Sequence, residues 1–149
     1  MGLISNGTTV FDAGAMSLGG SMTFIKKLTA SSSGTLSFVD GTDNVVLDDT
    51  YKEYLFTFKD IHAQTDNTFF QFNFSADSGS NYNVTKTSTV FSSYHNENGN
   101  STDLSYRGGV NAGLAQSTAF QNITSPDNMS SDDDHIFAGT FTVFNPSST

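Results

Sequence analysis

The clearest pattern in the chain is alternation with period two. Tyr54, Phe56 and Phe58 fall on one face of an extended segment, with Glu53, Thr57 and Lys59 on the other. Phe70, Phe72 and Phe74 repeat the pattern against Gln71, Asn73 and Ser75. Successive side chains of a strand point to opposite faces, so each run predicts a strand with one apolar and one solvated side. Weaker versions predict strands over 22–29, 35–39 (with Leu36 and Phe38 in phase), 85–94 and 115–123. The last strand is predicted over 136–144, with Phe137, Phe141 and Val143 in phase. Residues 40–44 carry turn chemistry, 96–111 read as a long polar loop or hairpin, and 125–134 as an acidic loop. Short strands with turns every eight to twelve residues predict an all-β fold, an antiparallel β-sandwich of jelly-roll type.

The first 21 residues differ. They are rich in Gly, Ala and Ser, with isolated apolar positions at Leu3, Ile4, Val10 and Phe11. Such a segment cannot build a core and is expected to be an extended N-terminal arm whose four apolar residues anchor it on a partner. The expected organisation is an arm over 1–21 and a sandwich over 22–149.

Composition supports this picture and limits the chemistry. Ser, Thr, Asn and Gly make up 66 of the 149 residues. Fourteen Phe and 5 Tyr supply apolar area for a core and argue against disorder. The net charge of −9 argues against a nucleic-acid partner, because nothing offsets phosphate repulsion. Zero Cys excludes disulfides, thiolate metal sites and cysteine nucleophiles. No apolar run approaches a membrane span, so no membrane is expected as a partner. The opening Met1-Gly2-Leu3-Ile4-Ser5 lacks the basic and apolar regions of a secretory signal, which leads us to expect synthesis and retention in a cytoplasm.

Candidate chemistry is sparse. His95 lies two residues from Glu97, and His135 follows Asp132-Asp133-Asp134. These could form a metal site or a dyad, but local hydrogen bonding in loops explains them more simply. Glu53 and Glu97 are the only glutamates and could be imagined as a glycosidase pair. Most aspartates sit in turns, where they shape backbone. The six Asn-x-Ser/Thr matches, with x not Pro, are not far above the roughly 3.5 that composition alone predicts. No catalytic residue, metal ligand or cofactor is therefore expected. Ser75-Ala76-Asp77-Ser78-Gly79-Ser80-Asn81-Tyr82 resembles an Asp-box, a hairpin motif in which Asp binds the loop backbone and Gly supplies positive φ. Asp77 and Gly79 are accordingly expected to be structural. Phe69, Tyr82, Tyr94 and Tyr106 lie near loops and could stack on sugar rings, but burial at sheet edges or in a subunit interface explains them more simply.

A family resemblance adds to this reading. The stretch from Leu47-Asp48-Asp49-Thr50-Tyr51-Lys52-Glu53-Tyr54-Leu55-Phe56 through the Asp-box resembles virion structural proteins of marine tailed bacteriophages, cyanophages among them. So do Ile4-Ser5-Asn6-Gly7-Thr8-Thr9-Val10-Phe11-Asp12-Ala13-Gly14, Ser92-Ser93-Tyr94-His95-Asn96-Glu97 and Phe144-Asn145-Pro146-Ser147-Ser148-Thr149. The resemblance covers nearly the whole chain but identifies no active site. It implies a non-enzymatic capsid-decorating or fibre-type component of the virion, made in the host bacterial cytoplasm. It further implies a homotrimer bound to other virion proteins of the capsid or tail. Family members continue past the Asn-Pro-Ser-Ser-Thr stretch. The resemblance thus implies either that the chain goes on past Thr149 or that this member is short and leaves a sheet edge for a neighbour to cover. The alternative function is a receptor-recognition module of a tail fibre that binds host-surface polysaccharide.

Overall fold

The computed structural model describes residues 22–109, 111–124 and 128–147, together with the backbone pairing of three strands before them. Those strands are β1 (Leu3–Ser5), β2 (Thr8–Asp12) and β3 (Ala15–Met16), which form an antiparallel meander. The sequence pattern predicts no regular structure here. The backbone nonetheless pairs locally, with Leu3 opposite Phe11 and Asp12 opposite Ala15. Such pairing needs only short closures, which cost little chain entropy.

The other strands are β4 (Glu53–Ile61), β5 (Gln71–Phe72), β6 (Phe91–His95), β7 (Thr102–Tyr106), β8 (Gln121–Asn122) and β9 (Phe137–Phe144). They pair as antiparallel ribbons β4–β9, β5–β8 and β6–β7, so the described fold is all-β without helices. Beyond the strands, antiparallel bridges join Thr68 to Met129 and Lys86 to Ser117.

The β4–β9 ribbon is where alternation and structure agree best. Its register sets Tyr54 opposite Val143 and Phe56 opposite Phe141. Phe56, Phe58, Phe137 and Phe141 are partly covered, while Leu55, Thr57, Lys59 and Thr140 are exposed. The register shifts between Phe58 and Ile61, where Asp60 adopts φ +54°. A positive φ at a short polar residue accommodates the extra residue of a bulge.

Two expected strands are corrected. Residues 22–29 and 35–39 are not strands. Their alternation fits a sheet, but no backbone ladder among the described residues receives them. Strand conformation is held by its neighbour, so a pattern without a neighbour does not count as a strand. The expected strand over 85–94 is also reduced. Lys86 and Ser88 make backbone bonds to Ser117 and Leu114, and a continuous ladder begins only at Phe91. The region 115–123 contributes only β8.

The apolar interior is thin. Val45, Tyr54, Ala112, Leu114 and Met129 are its buried apolar residues among those described. The phenylalanines instead form a half-covered layer. Phe38, Phe56, Phe141, Phe72 and Phe74 touch in sequence, with ring centroids 5.4, 6.0, 4.6 and 5.4 Å apart. Phe58, Phe70 and Phe137 form a second cluster at 5.0, 5.1 and 6.0 Å. Tilted and edge-on geometries at such distances are favourable ring contacts.

Candidate functional site

The Asp-box loop shows what the acidic residues do. Ser75 Oγ donates to Asp77 Oδ1 at 2.7 Å, and the Asn81 backbone N–H donates to the same oxygen at 2.8 Å. Asn81 Nδ2 donates to Asp77 Oδ2 at 2.6 Å, while the Gly79 N–H donates to Ser75 Oγ at 2.9 Å. These bonds, led by the Ser75 hydroxyl and then the Asn81 side chain, stabilise the carboxylate and hold Asp77 down to about 2. Gly79 adopts φ +83°, and a Cβ there would lie 2.9 Å from Val39 Cγ2. Tyr82 closes the motif: its hydroxyl stands 3.2 Å from the same Cβ position.

Other acids act in the same way. Asp66 accepts from the Ser131 backbone N–H at 2.8 Å and from its hydroxyl at 2.9 Å, contacts that lower its pKa. That clamp spans 65 residues and ties the 128–135 loop to the segment before β5. Asp48 accepts from the Thr50 N–H at 2.8 Å, and Asp40 from the Leu47 N–H at 2.8 Å. The sequence reading identified turn duty for Asp40, Asp48 and Asp77, but missed the Asp66 clamp.

The histidines make local contacts. His62 Nε2 lies 3.0 Å from Asp60 Oδ1, and His135 Nδ1 accepts from the Ser130 N–H at 3.0 Å. His95 Nδ1 lies 3.2 Å from the Asn96 carbonyl. Glu53 opens β4 whereas Glu97 lies in the β6–β7 turn. Among the described residues, no group of three His, Asp or Glu side chains is placed to hold a metal ion, and no helix is long and apolar enough to cross a membrane.

The three tyrosine stacking candidates are dispersed. Tyr82 is half-buried and belongs to the Asp-box. Tyr94 and Tyr106 both lie on the β6–β7 hairpin, but on opposite faces. Residues directly opposite in an antiparallel pair share a face. Tyr94 pairs with Asp103, whereas Tyr106 pairs with Phe91. The four anchoring candidates, Leu3, Ile4, Val10 and Phe11, fall on β1 and β2, and their side chains lie outside the described residues.

The hairpin is unusual in which side it shows to solvent. Its turn is closed by the Asn96 N–H donating to the Ser101 carbonyl at 3.0 Å, with Gly99 at φ +67°. On one face Arg107 Nη2 sits 2.8 Å from Asp103 Oδ2, Arg107 Nε donates to Ser92 Oγ at 2.6 Å, and the guanidinium lies 5.8 Å from the Tyr94 ring centre. The Ser105 hydroxyl bond, followed by the Arg107 charge, lowers the Asp103 pKa. The opposite face carries Phe91, Leu104 and Tyr106, which are 70%, 71% and 78% exposed.

A cleft of about 290 Å³ opens beside the aromatic layer, floored by Phe58, Phe72 and Phe141 and bordered by Thr89, Thr140 and Gln121. The Gln121 amide already donates to the carbonyls of Asn111, Ala112 and Asn122, at 3.1, 2.5 and 2.9 Å. The Ser88 hydroxyl donates to Gln121 Oε1. Gln121 is thus committed to holding the 111–122 region in place.

Compared with models of protein families, with curated proteins and with solved structures, the chain matches none.

Proposed function

We propose that the chain is a non-enzymatic virion structural protein of a tailed bacteriophage. It is a capsid-decorating or fibre-type surface component, anchored through residues 1–21 and assembled as a homotrimer. Its β-sandwich, of jelly-roll type, is completed between copies.

The observation that carries this reading is the unfinished aromatic layer. None of the thirteen described phenylalanines is buried, and Phe24, Phe91 and Phe144 are 66–81% exposed. Apolar side chains gain about 25 cal/mol per Å² on leaving water, which drives such surface into contact with neighbours. The acids that titrate abnormally, Asp48, Asp66, Asp77 and Asp103, all owe their shifts chiefly to hydrogen bonds from neighbouring loop or strand groups. Rigid loops on a self-associating β scaffold suit a structural role.

The anchoring part is tested by deleting residues 1–21 and measuring incorporation into virus particles. The truncated protein is expected to keep its oligomeric state and to be lost from particles. Retention at normal copy number would overturn the anchoring claim.

A further inference from the structure

Of the exposed apolar surfaces, the outward face of the β6–β7 hairpin is the best defined. Its register stacks three cross-strand pairs on one side: Phe91 with Tyr106, Ser93 with Leu104, and His95 with Thr102. All six residues are exposed. A two-stranded ribbon lying on its own body turns its apolar side inward. Here the inward side instead holds the Arg107–Asp103–Ser92 network, and the apolar side faces out. That inversion is what a ribbon requires when its packing partner lies outside the chain.

We infer that this face packs about the threefold axis of the assembly, where it meets the same face of the other copies of the chain. The inference rests on the assembly reading above and names the surface that would carry it. Two observations select a second copy. The first is charge. The chain carries a net −9, so two copies repel over most orientations, yet the six residues of this face include no carboxylate and no lysine or arginine. A basic partner would find no complement here, whereas a second copy meets its weakest repulsion.

The second is area. Aromatic side chains bury about 150–250 Å² each, so Phe91 and Tyr106 at their observed exposure offer about 300 Å², to which the exposed Leu104 adds. A standard stable interface takes about 800 Å² from each partner, with an apolar centre and a polar rim. The three large side chains fill the centre and supply about half that area. Ser93, His95 and Thr102 stand beside them as rim. Aromatic and leucine side chains are also self-complementary, as a symmetric contact demands.

The test uses the full chain. Sedimentation equilibrium of Leu104→Asp is expected to show a dissociation constant raised on the order of 100-fold, the effect of a charge placed in the centre of an interface. Because the chain has no native Cys, Ser93→Cys and Asn98→Cys each introduce a single thiol, one on the face and one in the turn beyond it. Under mild oxidation Ser93→Cys is expected to cross-link copies at least ten times faster than Asn98→Cys. This arm stands even if Leu104→Asp fails to fold. Equal cross-linking of the two thiols, or a folded Leu104→Asp that associates like the native chain, would overturn the hairpin contact while leaving assembly itself intact. A native chain that stays monomeric would overturn both.

Discussion

At the scale of single residues, Gly79 and Asp77 are the positions where the chain has least freedom. A methyl on Gly79 meets Val39 Cγ2 at 2.9 Å, and the backbone is already at φ +83°. Gly79→Ala is therefore expected to lower stability by about 1–3 kcal/mol in urea denaturation. The same substitution at Gly41, also at positive φ but with nothing within 4 Å, should cost less, because only the backbone term remains. Asp77 sets a pH dependence. Its folded pKa is depressed from 3.8 to about 2. Its contribution is therefore complete above about pH 4 and is lost as pH falls through about 2. Asp77→Asn should flatten this part of the acid-unfolding curve, read by circular dichroism between pH 5 and 1.5. The motif was legible in the sequence because all its partners lie within eight residues. The Asp66 clamp was not, since its Ser131 partner lies 65 residues away and nothing local marks the pair.

At the scale of elements, the β4–β9 ribbon carries the aromatic layer, with Phe38, Phe70, Phe72 and Phe74 packed on its rings. Phe141 shows what it holds together: its ring lies 6.0 Å from Phe56, 4.6 Å from Phe72 and 6.0 Å from Phe74. Phe141→Ala is expected to cost about 2–3 kcal/mol, below the full range for a buried aromatic because the layer is half-open. Phe144→Ala, on the same strand but 66% exposed, should fall within about 0.5 kcal/mol in a dissociated chain. Denaturant titration of both variants checks the contrast. Alternation made β4 and β9 readable because each has a neighbour to hold it. Residues 22–29 and 35–39 carry similar alternation and do not become strands, because sequence shows the pattern and not the edge that would receive it. The polar segment 96–111 illustrates the opposite gap. Thr102–Tyr106 forms a full strand there, held by its register with Phe91–His95 rather than by its own composition.

At the scale of the whole molecule, β4, β5 and β9 carry an aromatic layer whose phenylalanines are only half-covered among the described residues. Which phenylalanines stay exposed was hidden from sequence, because half-covered and exposed phenylalanines look alike in an alternating strand. Coverage by copies should also raise stability with concentration, since anything that binds only the folded chain shifts unfolding by mass action. A melting temperature that climbs between about 1 and 100 μM would show that coupling.

The most direct measurement is the mass of the native full-length chain in solution by sedimentation equilibrium at micromolar concentration. The account predicts a species of three chains, 3 × 16.0 = 48.0 kDa. A single 16.0 kDa species at every concentration would contradict it, because the aromatic layer would then stand open to water with nothing to cover it.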